Sequence, residues 1–295
     1  MSATDIIPLT GNHERYEDTY YNAFYKIAQK EFFVEKVSQY FDTKVMKILT
    51  DAYDRDEEFS ILSVGVGEGP HEFHILKSLQ SLYASISSVS VDPNESMVQT
   101  FKDRVASLNV DNKPHITFQA FSGSLTEFAT TSTLARTKYH LITSIHSLYY
   151  TADLQTTFSQ LTSMMKDDGF IIVVCKKGDL ISESFSKFAF LREAIPSYIP
   201  LTSTDVKEFA ESQGLNVIAS DVNMQWDITE VFDDRSDFGN KLLDFFTQTA
   251  YFRQTAPSEV VDELMNFWRS ISISTEDENG RMLSPCHDEI LVISK

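Results

Sequence analysis

A glycine turn between an apolar run and a predicted helix constrains this chain more than any other feature of its sequence. The apolar run 61–64 ends at Gly65, and glycine recurs at alternate positions as Gly67 and Gly69. Glycine has no Cβ atom, so it adopts positive φ and lets a ligand approach the backbone closely. The pattern therefore predicts a buried strand that passes through a tight turn into a helix, with space for a ligand beside the turn.

An acidic residue ends the next apolar run of the sequence. Asp92 follows Ser90 and Val91 and precedes Pro93. A carboxylate at the tip of the neighbouring strand can accept hydrogen bonds from both hydroxyl groups of a ribose. We therefore predict a pocket for an adenosine-containing cofactor. The alternative is a purely structural strand-to-helix turn, followed by a solvated acid.

The spacing of the glycines distinguishes between cofactors. A dinucleotide-binding turn has the pattern G-x-G-x-x-G, and its helix N-terminus receives a pyrophosphate. Here the pattern is G-x-G-x-G, and Glu68 lies inside the turn. Its carboxylate would repel a diphosphate, whereas a cofactor with an amino-acid tail, such as S-adenosylmethionine, suits such a turn.

The composition of the chain excludes several classes of protein. The chain has 295 residues, of which 42% are hydrophobic, and its net charge is −18. A globular protein is the expected class, and the negative charge disfavours nucleic acid and anionic membranes, which need basic residues. The two cysteines favour a reducing compartment, and the seven histidines lack the spacing of a metal site. The N-terminus does not resemble a secretory signal, and no apolar run has the length of a membrane span. We expect a cytoplasmic protein that uses no metal.

Strand and helix signals alternate through the middle of the chain, which predicts an α/β fold. The predicted strands are 59–65, 87–92, 115–119, 139–145 and 169–175, and the predicted helices are 70–83, 94–108 and 153–165. Continuous apolar strands alternating with helices imply a parallel sheet that is covered on both faces. The Ser- and Thr-rich segment 122–137 predicts a loop with at most one helical turn.

Both ends of the chain add helices to this core. Residues 13–54 favour helix, and the last third predicts helices at 202–213, 238–249 and 257–270, with strands at 216–223, 226–232 and 289–294. We therefore divide the chain into an N-terminal helical cap segment 1–54, a cofactor-binding core 55–200 and a part 201–295 that completes the sheet and adds cap helices. A terminal hairpin predicts an antiparallel edge of the sheet.

Several motifs of the chain resemble the histamine N-methyltransferase family, which comprises class I S-adenosylmethionine-dependent enzymes. The motifs are His13-x-x-Tyr16, the glycine turn 62–69, Val91-Asp92-Pro93, and the stretches 145–150 (Ile-His-Ser-Leu-Tyr-Tyr), 171–174, 226–228 (Trp-Asp-Ile), 244–249 (Asp-Phe-Phe-Thr-Gln-Thr) and 255–257 (Thr-Ala-Pro). The resemblance covers nearly the whole chain. It implies a Rossmann-like, seven-stranded, mostly parallel sheet with a helical substrate cap. The implied reaction methylates a nitrogen of a small amine or imidazole and leaves S-adenosyl-L-homocysteine.

The resemblance also implies which residues form the site. The cofactor would contact Gly65, Gly67, Glu68, Gly69, Asp92, Met97, Ser124 and Ile145. The aromatic cavity for the acceptor would consist of Tyr16, Tyr20, Tyr149, Tyr150 and Phe245. We expect the enzyme to act as a monomer, because a cap over a buried small-molecule site needs no second subunit.

His146, Tyr149 and Tyr150 are the predicted catalytic residues. Methyl transfer is an in-line displacement, and only an unprotonated nitrogen is nucleophilic, so a nearby proton acceptor helps. His146 is suited to this role because the ordinary pKa of imidazole, about 6.5, lies near neutrality. The tyrosine rings could stabilise a sulfonium or an ammonium by cation–π attraction. Alternatively, His146 hydrogen-bonds only to backbone, and the aromatic residues are ordinary core.

Four positions depart from the family pattern. The family holds histamine with a glutamate on the first helix and an asparagine near the C-terminus, where this chain has Gln29 and Cys286. Two tryptophans after the fifth strand are replaced by Leu180 and Ser184. Histamine is therefore one candidate among small amines, imidazoles and histidine-containing dipeptides. Methylation of another small-molecule acceptor and binding of S-adenosylmethionine without turnover stay open as alternatives.

Overall fold

The computed structural model of the protein describes residues 7–109, 115–151, 153–195, 201–276 and 280–295. The chain divides into two units. The first unit comprises Met1–Glu31, Lys176–Thr202 and Asn223–Asp288, and the second comprises Phe32–Cys175, Ser203–Val222 and Glu289–Lys295. The three-part division expected from the sequence stays a prediction.

The described residues form ten strands. They are β1 (Ile7–Pro8), β2 (Glu58–Val64), β3 (Ser85–Asp92), β4 (His115–Ser122), β5 (Tyr139–Ile145), β6 (Met165–Gly178), β7 (Asn216–Asp227), β8 (Thr249–Ala250), β9 (Ile273–Ser274) and β10 (Met282–Ser294).

The α-helices include every helix predicted from the sequence, within a few residues at each end. They are α1 (His13–Thr19), α2 (Tyr25–Ile27), α3 (Lys30–Tyr40), α4 (Met46–Ala52), α5 (Pro70–Gln80), α6 (Glu95–Ala106), α7 (Leu125–Thr131), α8 (Leu154–Met164), α9 (Leu180–Lys187), α10 (Ala189–Ala194), α11 (Ser203–Ser212), α12 (Asp237–Thr247), α13 (Phe252–Thr255) and α14 (Ser258–Ile271). Two π-helical turns, Tyr20–Phe24 and Phe41–Val45, join α1 to α2 and α3 to α4.

The strand order of the larger sheet is β4-β3-β2-β5-β6-β10-β7. The pairs β2–β3, β2–β5, β3–β4 and β5–β6 are parallel. Every residue of β5 is buried, as is β2 from Phe59 onward. Strands buried on both faces are expected where helices cover a parallel sheet on either side.

The strand order identifies the end of the sheet at which a ligand is expected to bind. The chain runs from β2 outward through β3 to β4 and then returns to β5 on the other side of β2. The carboxyl ends of β2 and β5 therefore meet at a topological switch point, where open α/β sheets bind their ligands. The glycine turn follows β2 at this edge, Asp92 ends β3, and His146 follows β5.

Three predictions of secondary structure from the sequence differ from the structure in whole or in part. The segment 122–137 contains α7 and the 3₁₀-helical turn Thr133–Arg136, which is more helix than the single turn expected there. The predicted strand 226–232 is the end of β7 followed by the 3₁₀-helical turn Thr229–Phe232. The terminal strand pairs with β9 as an antiparallel hairpin, as expected, but β10 lies between β6 and β7, so it is not the edge of the sheet.

Burial explains the inner position of β10. Its apolar residues Ile290, Leu291, Val292 and Ile293 are all almost completely buried. An edge strand exposes one row of backbone groups and commonly carries charged or polar residues. An uninterrupted apolar run such as this is therefore better placed between two neighbouring strands.

The first unit has its own aromatic core. Its largest buried side chains are Trp226, Trp268, Phe185, Phe246 and Phe252. The rings of Trp226 and Phe246 stack at 5.5 Å, and Phe246 meets Trp268 edge to face at 5.9 Å. A short antiparallel pair joins β1 to β8 in the same unit. Three of the predicted acceptor-binding aromatic residues belong to this unit: Tyr16 lies on α1, Tyr20 in the π-helical turn Tyr20–Phe24, and Phe245 on α12.

Candidate functional site

The three glycines of the turn have positive φ, but they serve two purposes. A Cβ atom on Gly65 would lie 2.2 Å from Ser147 Cβ, and one on Gly69 would lie 2.1 Å from the Phe101 ring. A Cβ atom on Gly67 would have no heavy atom within 4 Å. Gly65 and Gly69 are therefore needed for packing, whereas Gly67 faces open space in which a ligand can approach the backbone.

Ser147 holds the glycine turn to the end of β5. Its hydroxyl donates to the Val64 carbonyl oxygen at 2.7 Å and lies 2.6 Å from the Ser144 hydroxyl. The close packing of Ser147 on Gly65 fixes the start of the turn. The sequence prediction did not include Ser147, because a serine after a strand has no distinctive pattern.

Asp92 is buried at the end of β3 and faces the glycine turn. Its Oδ2 accepts a hydrogen bond from the Gly67 N–H at 2.8 Å, and its Oδ1 accepts one from the Asn94 N–H at 2.9 Å. A carboxylate offers about four acceptor positions, so each oxygen can still accept another bond. The open space at Gly67 and these remaining acceptor positions fit the ribose of a nucleoside cofactor.

Met97 and Ser124 lie near the starts of the helices that follow β3 and β4. The Asn94 side chain caps α6 by accepting from the Met97 N–H at 3.3 Å. Ser124 is exposed and caps α7, because its hydroxyl accepts from the Glu127 N–H at 3.2 Å and donates to Glu127 Oε2 at 2.8 Å. Helix-capping explains Ser124 structurally, and its contact with adenine stays a prediction.

Glu68 and Ile145 complete the predicted cofactor-binding residues. Glu68 is exposed, and its carboxylate lies 3.6 Å from the Arg104 guanidinium. Ile145 is buried at the end of β5. Glu68 therefore forms an ion pair on the surface. Ile145 contributes an apolar side chain at the edge where the strands end.

Glu72 is a buried acid at this edge that the sequence prediction missed. It is the third residue of α5 and only 2% exposed. Burial, assisted by the negative charge of Asp92, raises the pKa of its carboxyl group to about 8. The sequence carried a signal, because Glu72 shares the spacing of the buried residues Ile75, Leu76 and Leu79 on one face of the helix.

His146 has a backbone conformation that is unusual for its residue type. Its φ is +52°, in the left-handed region, directly after β5. Its backbone N–H donates to the Val174 carbonyl oxygen at 2.8 Å, and its ring lies 4.8 Å from the Phe33 ring. Non-glycine residues in this region store strain and occur preferentially at functional sites. The backbone hydrogen bond holds His146 at the switch point of the sheet.

The two tyrosines after His146 differ in burial. Tyr149 is half-buried, and its hydroxyl lies 3.2 Å from His146 Nδ1, within hydrogen-bonding distance. The Tyr150 side chain is 83% exposed. The structure thus brings Tyr149 and His146 together, whereas the roles predicted for Tyr150 as a catalytic and acceptor-binding residue stay predictions.

The first unit brings together the other aromatic residues predicted to bind the acceptor. The Tyr16 and Tyr20 rings stack at 6.0 Å, Tyr20 lies 6.0 Å from Phe245, and Phe24 stacks on Phe245 at 4.2 Å. We call these four residues the aromatic cluster. The Lys30 Nζ atom donates to the Tyr20 hydroxyl at 2.7 Å and lies 4.9 Å from the Tyr20 ring centroid. An ammonium group therefore already lies against one ring of the cluster.

Gln29 and Cys286, the departures from the family pattern, are both held by neighbours in the first unit. Gln29 has a φ of +48°, and its Nε2 donates to the Gln225 carbonyl oxygen at 2.6 Å. The Cys286 thiol accepts from Lys176 Nζ at 3.1 Å, and burial raises its pKa to about 12. Neither side chain carries a negative charge at neutral pH, so neither can form an ion pair with an ammonium group.

Leu180 and Ser184 lie on α9 and are almost completely buried. The Ser184 hydroxyl accepts a hydrogen bond from the Trp268 indole N–H at 2.7 Å. Serine at this position therefore has a structural role, because it satisfies a buried donor of α14 that would otherwise be unpaired.

Within the described ranges of the chain, no group of three or more His, Cys, Asp or Glu side chains could hold a metal ion. A search of the same residues finds no helix with the length and apolar character of a membrane span.

Comparison with known proteins identifies relatives over most of the chain. A family profile described as "Methyltransferase domain" matches residues 33–220. Histamine N-methyltransferase B of Xenopus laevis is 25% identical over 296 residues, which cover 97% of this chain and 97% of that protein. Histamine N-methyltransferase of Rattus norvegicus is 25% identical over 281 residues, or 93% of each chain.

Solved structures share the fold at lower sequence identity. The YcgJ protein of Bacillus subtilis has a TM-score of 0.51 and 16% identity, and the match covers 85% of this chain and 97% of that one. A candidate methyltransferase of Bacillus halodurans C-125 has a TM-score of 0.51 and 12% identity over 85% of this chain and 98% of that one. These matches confirm the predicted class I α/β fold, and the curated relatives confirm the predicted resemblance.

Proposed function

Since this chain belongs to the methyltransferase family whose profile covers residues 33–220, and is an S-adenosylmethionine-dependent enzyme, we propose that it methylates a nitrogen of a small amine or imidazole compound. The observation that carries this proposal is the aromatic cluster, in which Tyr16, Tyr20, Phe24 and Phe245 form a continuous set of ring contacts. Aromatic faces attract ammonium groups and stack with imidazoles. The Lys30 ammonium beside Tyr20 is an instance of this attraction within the chain.

The cofactor would be held by the second unit. In this proposal the Asp92 carboxylate accepts hydrogen bonds from the ribose hydroxyls, and the cofactor lies against the backbone at Gly67. Met97 and Ser124 are the proposed residues on the adenine side. S-adenosylmethionine, when bound, supplies a methyl group activated by its sulfonium, and the product is S-adenosyl-L-homocysteine.

His146 is the proposed proton acceptor of the reaction. Its Nδ1 atom lies within hydrogen-bonding distance of the Tyr149 hydroxyl. When Nδ1–H donates to that oxygen, Nε2 carries the lone pair and can accept the proton that the acceptor nitrogen loses. Tyr149 would thus select the tautomer of His146, and the strained backbone of His146 would keep the ring at the end of β5.

An acceptor with a carboxylate group is a second candidate within the same chemistry. Lys30 places a positive charge beside the aromatic cluster, and the side chain of the neighbouring Gln29 is uncharged. A histidine-derived compound, such as a histidine-containing dipeptide, offers both an imidazole nitrogen and a carboxylate. The Lys30 ammonium group would attract the carboxylate of such an acceptor.

A screen for methyl acceptors tests the proposed function. The wild-type protein and Asp92→Ala would be incubated with radiolabelled S-adenosylmethionine and with histamine, other amines, imidazoles, histidine-containing dipeptides or phenols. We expect a nitrogen compound to be labelled by the wild type and not by the variant. Labelling of phenols alone, or of no compound, would contradict the proposal.

A monomeric state and a cytoplasmic location are further proposals. Sedimentation of the purified protein and imaging of a tagged chain test them independently of the acceptor.

A further inference from the structure

Glu72 occupies a position in which a charged residue is unusual. It begins the buried face of α5, where Ile75, Leu76 and Leu79 are each at most 2% exposed. Glutamate is rarely this buried unless it is paired, because an ionised carboxylate loses its hydration. The helix N-terminus stabilises a negative charge only in part. A further partner is therefore needed when Glu72 is ionised.

The described part of the chain supplies no such partner. The Glu72 carboxylate accepts only from its own backbone N–H, and no Lys or Arg acts on it. The other charge that acts on it is that of Asp92, a second carboxylate. Asp92 in turn accepts from the backbone at Gly67 and Asn94. Two buried acids therefore influence one another beside the glycine turn without a basic side chain between them.

The same edge has space for a ligand. No heavy atom lies within 4 Å of the position that a Cβ atom on Gly67 would take, although the neighbouring Gly65 and Gly69 are tightly packed. A ligand that carries its own positive charge would complement two carboxylates that have no basic side chain between them. S-adenosylmethionine and S-adenosylhomocysteine both carry an α-ammonium group on the amino-acid tail, in addition to the ribose hydroxyls.

We propose that the Glu72 carboxylate binds the α-ammonium group of the cofactor's amino-acid tail, while Asp92 binds the ribose. This inference rests on the assignment of the cofactor to the glycine turn. It divides the two acids by function: Asp92 recognises the nucleoside, and Glu72 recognises the tail. Burial raises the pKa of the Glu72 carboxyl group, so any proton that it holds in the free protein is released to solvent when the ammonium group binds.

Two ligands that differ only in the amino-acid tail can distinguish binding of the ammonium group by Glu72 from a purely structural role of Glu72. S-adenosylhomocysteine carries the amino-acid tail, whereas 5′-methylthioadenosine has the same nucleoside without it. We expect Glu72→Gln to weaken S-adenosylhomocysteine about 10- to 100-fold, as for loss of a charge-assisted hydrogen bond, and to change the affinity for methylthioadenosine less than about 2-fold. Asp92→Asn is the matched control and should weaken both ligands. Calorimetric titration measures each dissociation constant.

Two outcomes would overturn the inference. One is equal affinity of the wild type and Glu72→Gln for S-adenosylhomocysteine, and the other is an equal loss of affinity for both ligands in that variant. If Glu72→Gln fails to fold by circular dichroism, the wild type is titrated with S-adenosylhomocysteine whose amino group is acetylated, and unchanged affinity refutes the role of the ammonium group.

A divalent cation is the competing ligand for two neighbouring acids. Binding of Mg²⁺ or Ca²⁺ by the wild type that is lost in Glu72→Gln would assign the pair to a metal and overturn the inference. None of these titrations contains a methyl acceptor, so an error in the proposed acceptor would leave their outcome unchanged.

Discussion

The Asp92 carboxylate accepts a hydrogen bond from the Gly67 N–H at 2.8 Å, so one acid both ends β3 and fixes the turn that follows β2. The same carboxylate binds the Asn94 N–H at the start of α6. The side chain therefore joins two strands and a helix before any ligand binds. A preformed arrangement of this kind lowers the entropic cost of binding.

Replacing Asp92 by asparagine should weaken both the fold and cofactor binding. The amide keeps one acceptor oxygen, but its NH₂ group would face a backbone N–H, so one hydrogen bond is lost and a donor is left unsatisfied. We expect Asp92→Asn to lower the free energy of unfolding by about 1–3 kcal/mol and the affinity for S-adenosylhomocysteine by at least about 10-fold. Urea denaturation and calorimetric titration measure the two effects. Asp103→Asn, an exposed acid on α6, serves as the control and should change neither appreciably.

Substitution of Gly67 should separate binding from stability. Alanine at φ +52° is strained by about 1–2 kcal/mol, but it meets no neighbour at this position. We expect Gly67→Ala to fold with a slightly lower melting temperature and to lose most of its affinity for S-adenosylhomocysteine, because the methyl group occupies the space of the ligand. Thermal unfolding in the absence of ligand and calorimetric titration distinguish the two quantities.

Two other glycines provide controls for Gly67. Gly214 also has positive φ and no heavy atom near its Cβ position, so Gly214→Ala should show the same loss of stability without a change in cofactor affinity. Gly65→Ala would collide with Ser147 and should destabilise the fold more strongly, by roughly a further 1–3 kcal/mol. If Gly67→Ala binds the cofactor as tightly as the wild type, the ligand does not approach the backbone there.

Glu72 should make the free protein less stable as the pH rises. The folded state keeps the Glu72 proton up to a pKa of about 8, whereas the unfolded chain loses it near 4.5. Between these values the folded state binds more protons, so the free energy of unfolding falls with increasing pH and levels off above about pH 8. Glutamine cannot ionise, so Glu72→Gln should be more stable than the wild type at pH 8 by roughly 2–4 kcal/mol and about equal to it at pH 4.

The difference in free energy of unfolding between the wild type and Glu72→Gln separates the effect of Glu72 from that of the other titrating groups. Urea denaturation of both proteins at intervals from pH 4 to pH 9 measures it. A constant difference across this range would show that Glu72 does not titrate in the folded state. A role in ligand binding would account for an acid on an apolar helix face, where it lowers the stability of the free protein.

The sequence was most informative where local chemistry decides the structure. The glycine turn, Asp92 and the strand before His146 could be predicted because each depends on a short pattern at a strand end. Ser124 and Glu127 form a capping box at the start of α7, which is a sequence signal for a helix, but the Ser- and Thr-rich composition predicted a loop with at most one helical turn. Glu72 was missed because an acid in the first turn of a helix is usually exposed.

Other features depend on contacts that are distant along the chain. The extension of β7 beyond Asn223 coincides with the 2.7 Å contact between the Asn223 side chain and His287, which lies on β10. The exposure of Tyr150 and the hydrogen bond from Gln29 to the Gln225 carbonyl likewise result from tertiary packing. The periodicity of the sequence cannot reveal such pairs. A resemblance at about 25% identity shows which positions correspond, but it does not show which neighbours surround them.

The backbone conformation of His146 allows its proposed chemistry to be tested without loss of the fold. Asparagine tolerates the left-handed region better than alanine does, so His146→Asn should keep the stability of the wild type, whereas His146→Ala should lose about 1 kcal/mol. Both variants remove the imidazole, and we expect both to lower kcat by about 10²- to 10⁴-fold while S-adenosylhomocysteine binds within about 2-fold of its wild-type affinity. Steady-state kinetics with the acceptor found by the screen, calorimetric titration and urea denaturation measure these quantities. A wild-type kcat in His146→Asn, with its pH dependence unchanged, would show that His146 accepts no proton and that its strain serves only the turn after β5.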